Sequence, residues 1–527
     1  VNGPLAEVGR EPAKHGKRPR SRASTLRGKR GTRTAFAHFG VFSGESVLVA
    51  LERAALREPR MLRGIMAMAL LAAVPVGLAG ERERPQKPNI VLIVVESLRQ
   101  DHVGCYGYKR DTTPALDRLA REGARFDLAI APSSWTMPSL AGLFTSTPAA
   151  VHGVRTATNS LSEQVTTLTE ELRRNGYQTA GIMSNPMLRK EFGFGAGFDY
   201  YDDYTIPLGI EADPLGDGKG AVTPNDAVTG DAVTRLTMSW LSGKRDKAKP
   251  FFLYVFYFDP HYDYIPPPPY DRMFADPDYH GDGQGRGIQT LRTDSSRLTG
   301  EDKRNIVALY DGEIRHTDDQ IGKLLEELKV EGLLDDTIIV VTADHGEEFW
   351  EHGGMGHGRT LYDEVIRVPL IVRCPKLAKK PAVIAQQVSL TDIMPMLLDA
   401  AGASIPAQCT GKNLLPVLTG ADRDSGERAL FAETDAWDAN LKAIRTPGKK
   451  LVEKTGTKRV EMYSLVEDPS EKRNLADTDR RGDFKGVAGQ FQEWKESMAA
   501  YAKKRPPTVP NVDARLMQQL RSIGYVH

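Results

Sequence analysis

Continuous apolar runs alternate with helical patterns along the middle of this chain. Four runs rich in β-branched residues lie at 89–95, 251–255, 337–342 and 369–372. Such runs are typical of strands buried on both faces of a parallel sheet. Helical patterns lie between and after them, at about 113–123, 167–175, 302–328 and 392–401. The alternation predicts an α/β sandwich whose central sheet is mostly parallel and flanked by helices.

The pattern changes at about residue 426. Short apolar segments, separated by polar turns, lie at 429–432, 441–445, 450–453 and 461–464. They predict a small antiparallel sheet followed by a terminal helix. We therefore expect a main domain over 86–425 and a C-terminal α+β subdomain over 426–527. Two Gly-, Asp- and Pro-rich segments, 206–228 and 265–300, are predicted to be long surface loops that shape the mouth of a site.

The N-terminal region differs from the rest of the chain. Residues 1–60 hold 13 Lys or Arg against five Asp or Glu, a composition that is expected to bury little apolar surface. Met61 then begins a short positive region, followed by an apolar run from Ile65 to Ala79. This order predicts a signal peptide at 61–80, so we expect export to the periplasm or the cell exterior. Residues 1–60 are either a mis-assigned start or a basic disordered tail before a single uncleaved membrane anchor.

Charge and cysteine content exclude some functions. The formal net charge is +1, but the first 80 residues are strongly basic and the remainder is acidic overall. A nucleic-acid binder would carry basic surface on its folded part, so nucleic acid is not expected as a partner. The three cysteines, Cys105, Cys374 and Cys409, have no metal-type spacing and are expected to be free thiols.

Polar residues follow three of the predicted strands. Glu96 follows the first strand, the pair Asp344-His345 follows the strand at 337–342, and His261 lies soon after the strand at 251–255. Thr136 precedes Pro138 in a turn that is predicted to begin a helix, where a bound oxyanion is favoured. In an open α/β sheet, ligands bind at the carboxyl ends of the strands. Two carboxylates and an imidazole there suit a divalent cation such as Mn, Mg, Ca or Zn.

The order of these features resembles the sulfatase family of the alkaline phosphatase superfamily over nearly the whole chain after residue 88. The resemblance rests on these segments: PNIVLIVVESLRQDHVGCYGY (88–108), SSWTMPSLAGLFTSTPAAVHGV (133–154), PFFLYVFYFDPHYDYIPP (250–267), LYDGEIRHTDDQIGKLLEEL (309–328), VVTADHGEEFWEHGGMGHGRTLYDEVIRVPLIV (340–372) and LRSIGYV (520–526). It implies an alkaline phosphatase-like sandwich, a catalytic domain over 86–425 and a metal-dependent hydrolase of ester bonds.

The resemblance also implies roles for individual residues. Metal binding is implied for Glu96, Thr136, Asp344 and His345, with Thr136 at the position of the nucleophile. Contact with the oxyanion or the leaving group is implied for His261, and assistance to the leaving group for His357. Asn159 and His352 are further candidates for the substrate pocket.

One position departs from the sulfatase pattern. Sulfatases carry Cys or Ser where this chain has Thr136, and an Arg where it has Leu140. The β-carbon of Thr bears a methyl group and cannot become the aldehyde of formylglycine, so no formylglycine is expected. The combination resembles the threonine-nucleophile branch, which includes lipoteichoic-acid synthase and the phosphoethanolamine transferases. It favours an exported hydrolase of phosphate mono- or diesters.

Three alternatives stay open at this point. The protein could be a sulfuric ester hydrolase, a phosphotransferase acting on envelope lipid or glycan, or a catalytically degenerate binding protein. For each enzymatic alternative the expected substrate is an ester of a small molecule, a glycan or a lipid head group. Metal content separates the enzymes from the degenerate protein, since a binding protein without chemistry need not retain the ligands.

Overall fold

The computed structural model describes residues 87–203, 229–291, 294–378, 380–422, 428–457, 459–504, 507–510, 512 and 516–517. The predicted basic segment, the predicted signal peptide, the loop at 206–228 and the quoted segment 520–526 lie outside these residues. Among the residues that the structure describes, no helix is both long enough and apolar enough to span a membrane.

A nine-stranded sheet forms the centre of the described chain. Its strands are β1 (Asn89–Val95), β2 (Ala124–Ile130), β3 (Gln178–Met183), β4 (Tyr200–Asp202), β5 (Phe251–Tyr257), β6 (Thr337–Ala343), β9 (Arg367–Val368), β10 (Leu370–Arg373) and β11 (Ala382–Ser389). They lie in the order β11-β2-β10-β6-β1-β5-β3-β4, with β9 paired to β2. The short pair β7 (Glu348–Phe349) and β8 (Met355–Gly356) lies between β6 and β9 in sequence.

The sheet is mostly parallel, as predicted. β1 pairs in parallel with β5 and β6, and β3 pairs in parallel with β4 and β5, whereas β10 runs antiparallel to β2 and β6. Every residue of β5 and β6 is buried, and so is nearly every residue of β1. A strand buried on both faces needs a continuous apolar run, which explains why these strands are the ones that the sequence pattern predicted.

Helices flank the large sheet, and the last helix packs on the small C-terminal sheet. They are α1 (Pro114–Glu122), α2 (Thr136–Thr145), α3 (Ala149–His152), α4 (Leu168–Arg174), α5 (Gly230–Gly243), α6 (Ile288–Leu291), α7 (Gly300–Val330), α8 (Asp363–Ile366), α9 (Ile393–Ala400), α10 (Leu415–Leu418) and α11 (Lys485–Lys504). Single turns of 3-10 helix lie at Gln100–His102, Gly104–Tyr106, Pro186–Leu188, Lys190–Phe192, Tyr270–Arg272, Leu334–Asp336, Leu390–Asp392 and Ala436–Asp438, with a longer one at Asp479–Phe484. The predicted loop at 265–300 contains one of these turns and α6.

A four-stranded antiparallel sheet follows, in the order β12 (Leu430–Thr434), β13 (Leu441–Arg445), β14 (Lys449–Lys454) and β15 (Val460–Ser464). This sheet and α11 after it are the elements that the sequence predicted here, a small antiparallel sheet and a terminal helix. Its apolar residues pack on Ile130, Leu361 and Ile366 of the larger part. In addition, the amide of Glu433 donates to the carbonyl oxygen of Pro132 across 3.0 Å. That contact supports the segment that leads into α2.

Candidate active site

Two parallel strands at the centre of the sheet end side by side, each followed by an acidic residue. β1 and β6 are paired in register, so that Val95 lies beside Ala343. The next residues, Glu96 and Asp344, therefore leave the sheet at the same edge, and both are fully buried. His345 follows directly and is also fully buried. This edge is where open α/β sheets bind ligands.

Thr136 is the first residue of α2, and its hydroxyl lies against one of these carboxylates. Its Oγ1 donates a hydrogen bond to Oε1 of Glu96 across 2.8 Å and lies 3.4 Å from Nε2 of His345. Ser139, one turn later, donates to the backbone oxygen of Asp344 across 2.6 Å and so ties the helix to the end of β6. The free N–H groups at the start of a helix favour a bound oxyanion beside this hydroxyl.

Glu96, Asp344 and His345 form a group that could hold a metal ion, because one ligand atom from each lies within 4.8 Å of the others. Nδ1 of His345 contacts the carbonyl oxygen of Gly346 at 2.8 Å, which leaves Nε2 as the ligand atom. Oδ1 of Asp344 accepts amide hydrogen bonds from Ser97 and His345, whereas Oδ2 is buried without a hydrogen-bond partner. A bound cation would satisfy that oxygen, so these residues fit a divalent ion.

The electrostatics of this group also favour a cation. Burial raises the pKa of Glu96 well above its usual value, and the charge of Asp344 raises it further. Burial likewise raises the pKa of Asp344, although the neighbouring His345 partly lowers it. Two buried carboxylates this close repel each other, and a divalent cation would remove the repulsion.

Two of the other predicted histidines, His261 and His357, lie beside this group. Nδ1 of His261 contacts the backbone oxygen of Tyr262 at 2.7 Å, and Nε2 lies 3.9 Å from Oε1 of Glu96. The ring of His357 lies 4.3 Å from the ring of His345 and 5.2 Å from that of His261, measured between ring centroids. Both histidines are buried. The structure thus brings together six of the eight predicted site residues.

The remaining two predicted residues have partners of a different kind. Oδ1 of Asn159 accepts the amides of Arg155 and Thr156, a contact within a turn. His352 lies 2.7 Å from a carboxylate oxygen of Glu364 and stacks on the ring of Tyr362 at 3.5 Å. A role in the substrate pocket stays a prediction for both.

Two residues contact the site but were not singled out from the sequence. Nδ2 of Asn185 donates to Oε2 of Glu96 across 2.8 Å, and Glu347 contacts Nδ1 of His357 at 3.1 Å. Asn185 follows the end of β3, at the same edge of the sheet, and Glu347 stands two residues after His345. Both residues lie close to a strand end, and this is a signal that the sequence contains. The strand before Asn185, β3, was not itself predicted.

Comparison with known proteins identifies the family. A family model described as Sulfatase matches residues 88–403, more than half of the chain. The chain belongs to the sulfatase family. A second model, described as N-sulphoglucosamine sulphohydrolase, C-terminal, matches residues 351–494 of this sulfatase-family protein. The predicted superfamily is therefore confirmed, and so is the prediction of an enzyme that hydrolyses ester bonds; enzymes of this family typically depend on a divalent metal.

Relatives and solved structures agree with this assignment. The protein is 27% identical over 475 residues to an N-acetylglucosamine-6-O-sulfatase of Bacteroides thetaiotaomicron, covering 75% of this chain and 84% of that protein. It is 26% identical over 424 residues to the multifunctional alkaline phosphatase superfamily protein PehA of Trinickia caryophylli, covering 67% of this chain and 81% of that protein. The crystal structure of a phosphonate monoester hydrolase of Agrobacterium radiobacter matches with a TM-score of 0.65 at 24% identity, over 78% of this chain and 96% of that chain.

These comparisons bear on two of the predictions. The structural likeness confirms the predicted fold. Besides the N-acetylglucosamine-6-O-sulfatase, the relatives include an arylsulfatase of Clostridium perfringens and an ulvan-active sulfatase of Formosa agariphila, at 27% and 26% identity. The relatives therefore fit the sulfuric-ester alternative better than the phosphoester prediction, which they do not confirm.

Proposed function

We propose that this sulfatase-family protein is an exported, metal-dependent hydrolase that transfers the phosphoryl group of a phosphate mono- or diester to Thr136 and then releases it to water. The observation that carries the proposal is the hydroxyl of Thr136, held 2.8 Å from Glu96 at the start of α2. It is a nucleophile position that is occupied by an ordinary alcohol. An alcohol forms a stable ester with a phosphoryl group, and water can later hydrolyse that ester.

The metal would be held by Glu96, Asp344 and His345 together with Oγ1 of Thr136. When bound, a divalent ion acts as a Lewis acid that favours the deprotonated hydroxyl and neutralises charge on the ester oxygens. The ligand atoms of the first three residues lie within 4.8 Å of one another, which supports this assignment. Carboxylate oxygens with one imidazole are compatible with Mn, Mg, Ca or Zn.

The reaction that these side chains could perform has two steps. In the first, a bond forms between Oγ1 of Thr136 and phosphorus while the bond from phosphorus to the leaving oxygen breaks. The hydroxyl proton of Thr136 is given up in this step along its hydrogen bond to Oε1 of Glu96. His261 and His357 contribute to stabilising the oxyanion and to protonating the leaving oxygen. In the second step, the oxygen of water bonds to phosphorus, the Oγ1–phosphorus bond breaks, and one proton of the water returns to Oγ1 to restore the hydroxyl.

The residue at position 136 also argues against the usual release of sulfate. In a sulfatase, the hydrated aldehyde of formylglycine expels sulfate by elimination from a hemiacetal. Thr136 carries a methyl group on its β-carbon and cannot form that aldehyde, and Leu140 stands where sulfatases have an Arg. A sulfate transferred to Thr136 would have to leave by direct hydrolysis, which is slow for an alkyl sulfate.

Hydrolysis of sulfuric esters is the second candidate function, and the names of the relatives favour it. The N-acetylglucosamine-6-O-sulfatase and the arylsulfatase of Clostridium perfringens, each 27% identical to this chain, both act on sulfate esters by name. On this reading the substrate is the sulfate ester of a glycan or a small molecule. The two candidates share one site and differ in the transferred group.

A side-by-side assay separates the candidates. The full chain would be loaded in turn with Mn, Mg, Ca and Zn and assayed with an aryl phosphate, an aryl phosphodiester and an aryl sulfate. We expect phosphoester turnover to exceed sulfate turnover and to be lost in Thr136→Ala. Thr145→Ala, at the other end of the same helix, is the matched control, because its hydroxyl contacts Ala141 and Thr147 rather than the site.

Two results would decide against the first candidate. Sulfate turnover that exceeds phosphoester turnover and depends on Thr136 would assign the protein to sulfuric esters. Turnover that survives Thr136→Ala would remove Thr136 as the nucleophile for either class. Mass spectrometry of a rapidly quenched reaction identifies whether a phosphoryl or a sulfuryl group is attached to Thr136.

A further inference from the structure

Glu347 is a buried acidic residue outside the group that fits a metal, and it contacts His357 directly. Its Oε1 and Oε2 lie 3.1 Å and 3.3 Å from Nδ1 of His357. An ionised carboxylate only accepts hydrogen bonds, so Nδ1 is the donor of this contact when Glu347 is ionised. Neither side chain is exposed to solvent, and the pair is therefore not weakened by competition with water.

Two further contacts hold Glu347 in place. The hydroxyl of Tyr264 donates to Oε2 across 3.1 Å, and Nη1 of Arg99 donates to the backbone oxygen of Glu347 across 3.0 Å. Tyr264 is fully buried and packs edge-on against Tyr310 at 5.4 Å between ring centroids. Both the side chain and the main chain of Glu347 are thus fixed by groups that are themselves buried. A carboxylate held in this way determines how the ring that bonds to it is turned.

The orientation of His357 has a direct consequence for the site. The ring lies against those of His345 and His261, at 4.3 Å and 5.2 Å between centroids, and meets Trp437 edge-on at 6.4 Å. Because Nδ1 contacts Glu347, Nε2 lies on the side of the ring that points away from that carboxylate. His357 is also the candidate for assisting the leaving group.

We propose that Glu347 is the positioning residue that orients His357 for proton donation to the leaving oxygen, an inference that rests on the proposed function. In this step the bond between the transferred group and the leaving oxygen breaks, and that oxygen takes the proton from Nε2 of His357. Nδ1 keeps its proton and its hydrogen bond to Glu347 throughout. The carboxylate fixes the direction of the ring and does not touch the substrate.

The leaving group provides the activity test. Wild type, Glu347→Gln, Glu347→Ala and His357→Asn would be assayed with aryl esters whose phenols range from good to poor leaving groups. Proton donation matters most for poor leaving groups, so kcat/KM in the variants is expected to fall by about 100-fold or more for the poorest and far less for the best. A variant that merely loosens the fold would lower kcat/KM by the same factor for all substrates.

Glu348→Gln is the matched control. Glu348 is the neighbouring buried acid, but its carboxylate accepts the amides of His352 and Gly354 instead of contacting His357. We expect this variant to lower stability without steepening the dependence on the leaving group. An equal decrease for all leaving groups in Glu347→Gln would overturn the inference.

A second measurement does not depend on turnover. Nitrogen NMR of the full chain with isotope-labelled histidine reports which ring nitrogen carries a proton, and His357→Asn identifies the signal among the 11 histidines. We expect a protonated Nδ1 in the wild type and a change at that nitrogen in Glu347→Ala. A bare Nδ1 in the wild type would overturn the orienting role even in an active enzyme. Absence of any Thr136-dependent turnover would instead refute the proposed function, and the NMR result would then decide on Glu347 alone.

Discussion

Asn185 donates a hydrogen bond from Nδ2 to Oε2 of Glu96 across 2.8 Å, and its own position is 1% exposed. Thr136 donates to the other oxygen of the same carboxylate, so both oxygens of Glu96 are held by a neighbour. Asn185 is in turn fixed, because its Oδ1 accepts the amide of Met187 across 2.9 Å. The orientation of the first acidic residue of the site therefore depends on a residue from a different strand end.

Asn185→Leu tests this arrangement. The change keeps a similar volume but removes the donor to Glu96, so we expect metal affinity to fall by about 10–100-fold, the usual effect of losing a partner of a metal ligand. Isothermal titration with Mn measures it. Asn305→Leu is the control, since Asn305 is also buried but donates to Gly283, away from the site. Equal affinities in Asn185→Leu and wild type would contradict the assignment of Glu96 as a ligand.

Asp344→Asn separates the metal response from the stability of the empty protein. Burial and Asp344 together raise the pKa of Glu96, so removing one charge relieves repulsion, and we expect the metal-free variant to unfold at the wild-type temperature or higher. Metal at 100 times its Kd would stabilise the wild type by about 2.7 kcal/mol. We expect no such increment in Asp344→Asn.

Thermal unfolding with a chelator and with excess Mn provides the measurement. Asp318→Asn is the matched control: Asp318 is a buried acid whose carboxylate caps the amides of Ala115 and Leu116 at the start of α1. That variant should lose stability but keep the metal response. A full metal response in Asp344→Asn would exclude Asp344 from the site.

Gly358→Ala tests the contact between the loop that carries His357 and Trp437. A Cβ at this position would lie 2.1 Å from Cζ3 of Trp437, so the indole would have to move away from His357. We expect ester turnover to decrease more in Gly358→Ala than in a variant that only strains the backbone. Gly353→Ala is the matched control, since Gly353 has a similar positive φ of +87°, compared with +83° at Gly358, but has open space around it. Equal effects of the two variants on activity would show that Trp437 plays no part.

His152 is expected to make the protein sensitive to acid. It is buried and lines a cavity together with Pro138 and Arg428, and burial lowers its pKa from 6.5 to about 3. The unfolded chain therefore binds this proton more strongly than the folded one. The contribution of neutral His152 to the free energy of unfolding is therefore fully present above about pH 6.5, and it is lost as the pH falls towards 3.

His152→Asn removes the titrating group but keeps an acceptor for the amide of Val154, which now bonds to Nδ1. We expect a lower melting temperature at pH 7, because some packing is lost, and a shallower decrease between pH 7 and pH 4. Melting curves across that range measure the slope. His280→Asn is the control, because His280 is exposed. An unchanged slope in His152→Asn would mean that another group governs the acid response.

The sequence by itself determined four of the strands that are buried on both faces, whereas β3, which is also mostly buried, was not predicted. β1, β5, β6 and β10 each require a continuous apolar run, and such a run is visible in the chain. β2 and β11 have mixed burial and carry polar residues such as Arg125, Asp127 and Gln387, so their patterns resemble loops. Their place in the sheet depends on partners that lie far away in the sequence.

The sequence also determined which strand ends carry chemistry, because Glu96, Asp344 and His345 directly follow apolar runs. Only the tertiary structure decided which side chains meet there. Asn185 reaches Glu96 across 89 positions of the chain, and His352, although close to His357 in sequence, bonds to Glu364 instead. A local pattern specifies whether a residue leaves a strand, whereas the direction and partner of its side chain depend on how separate segments pack against one another.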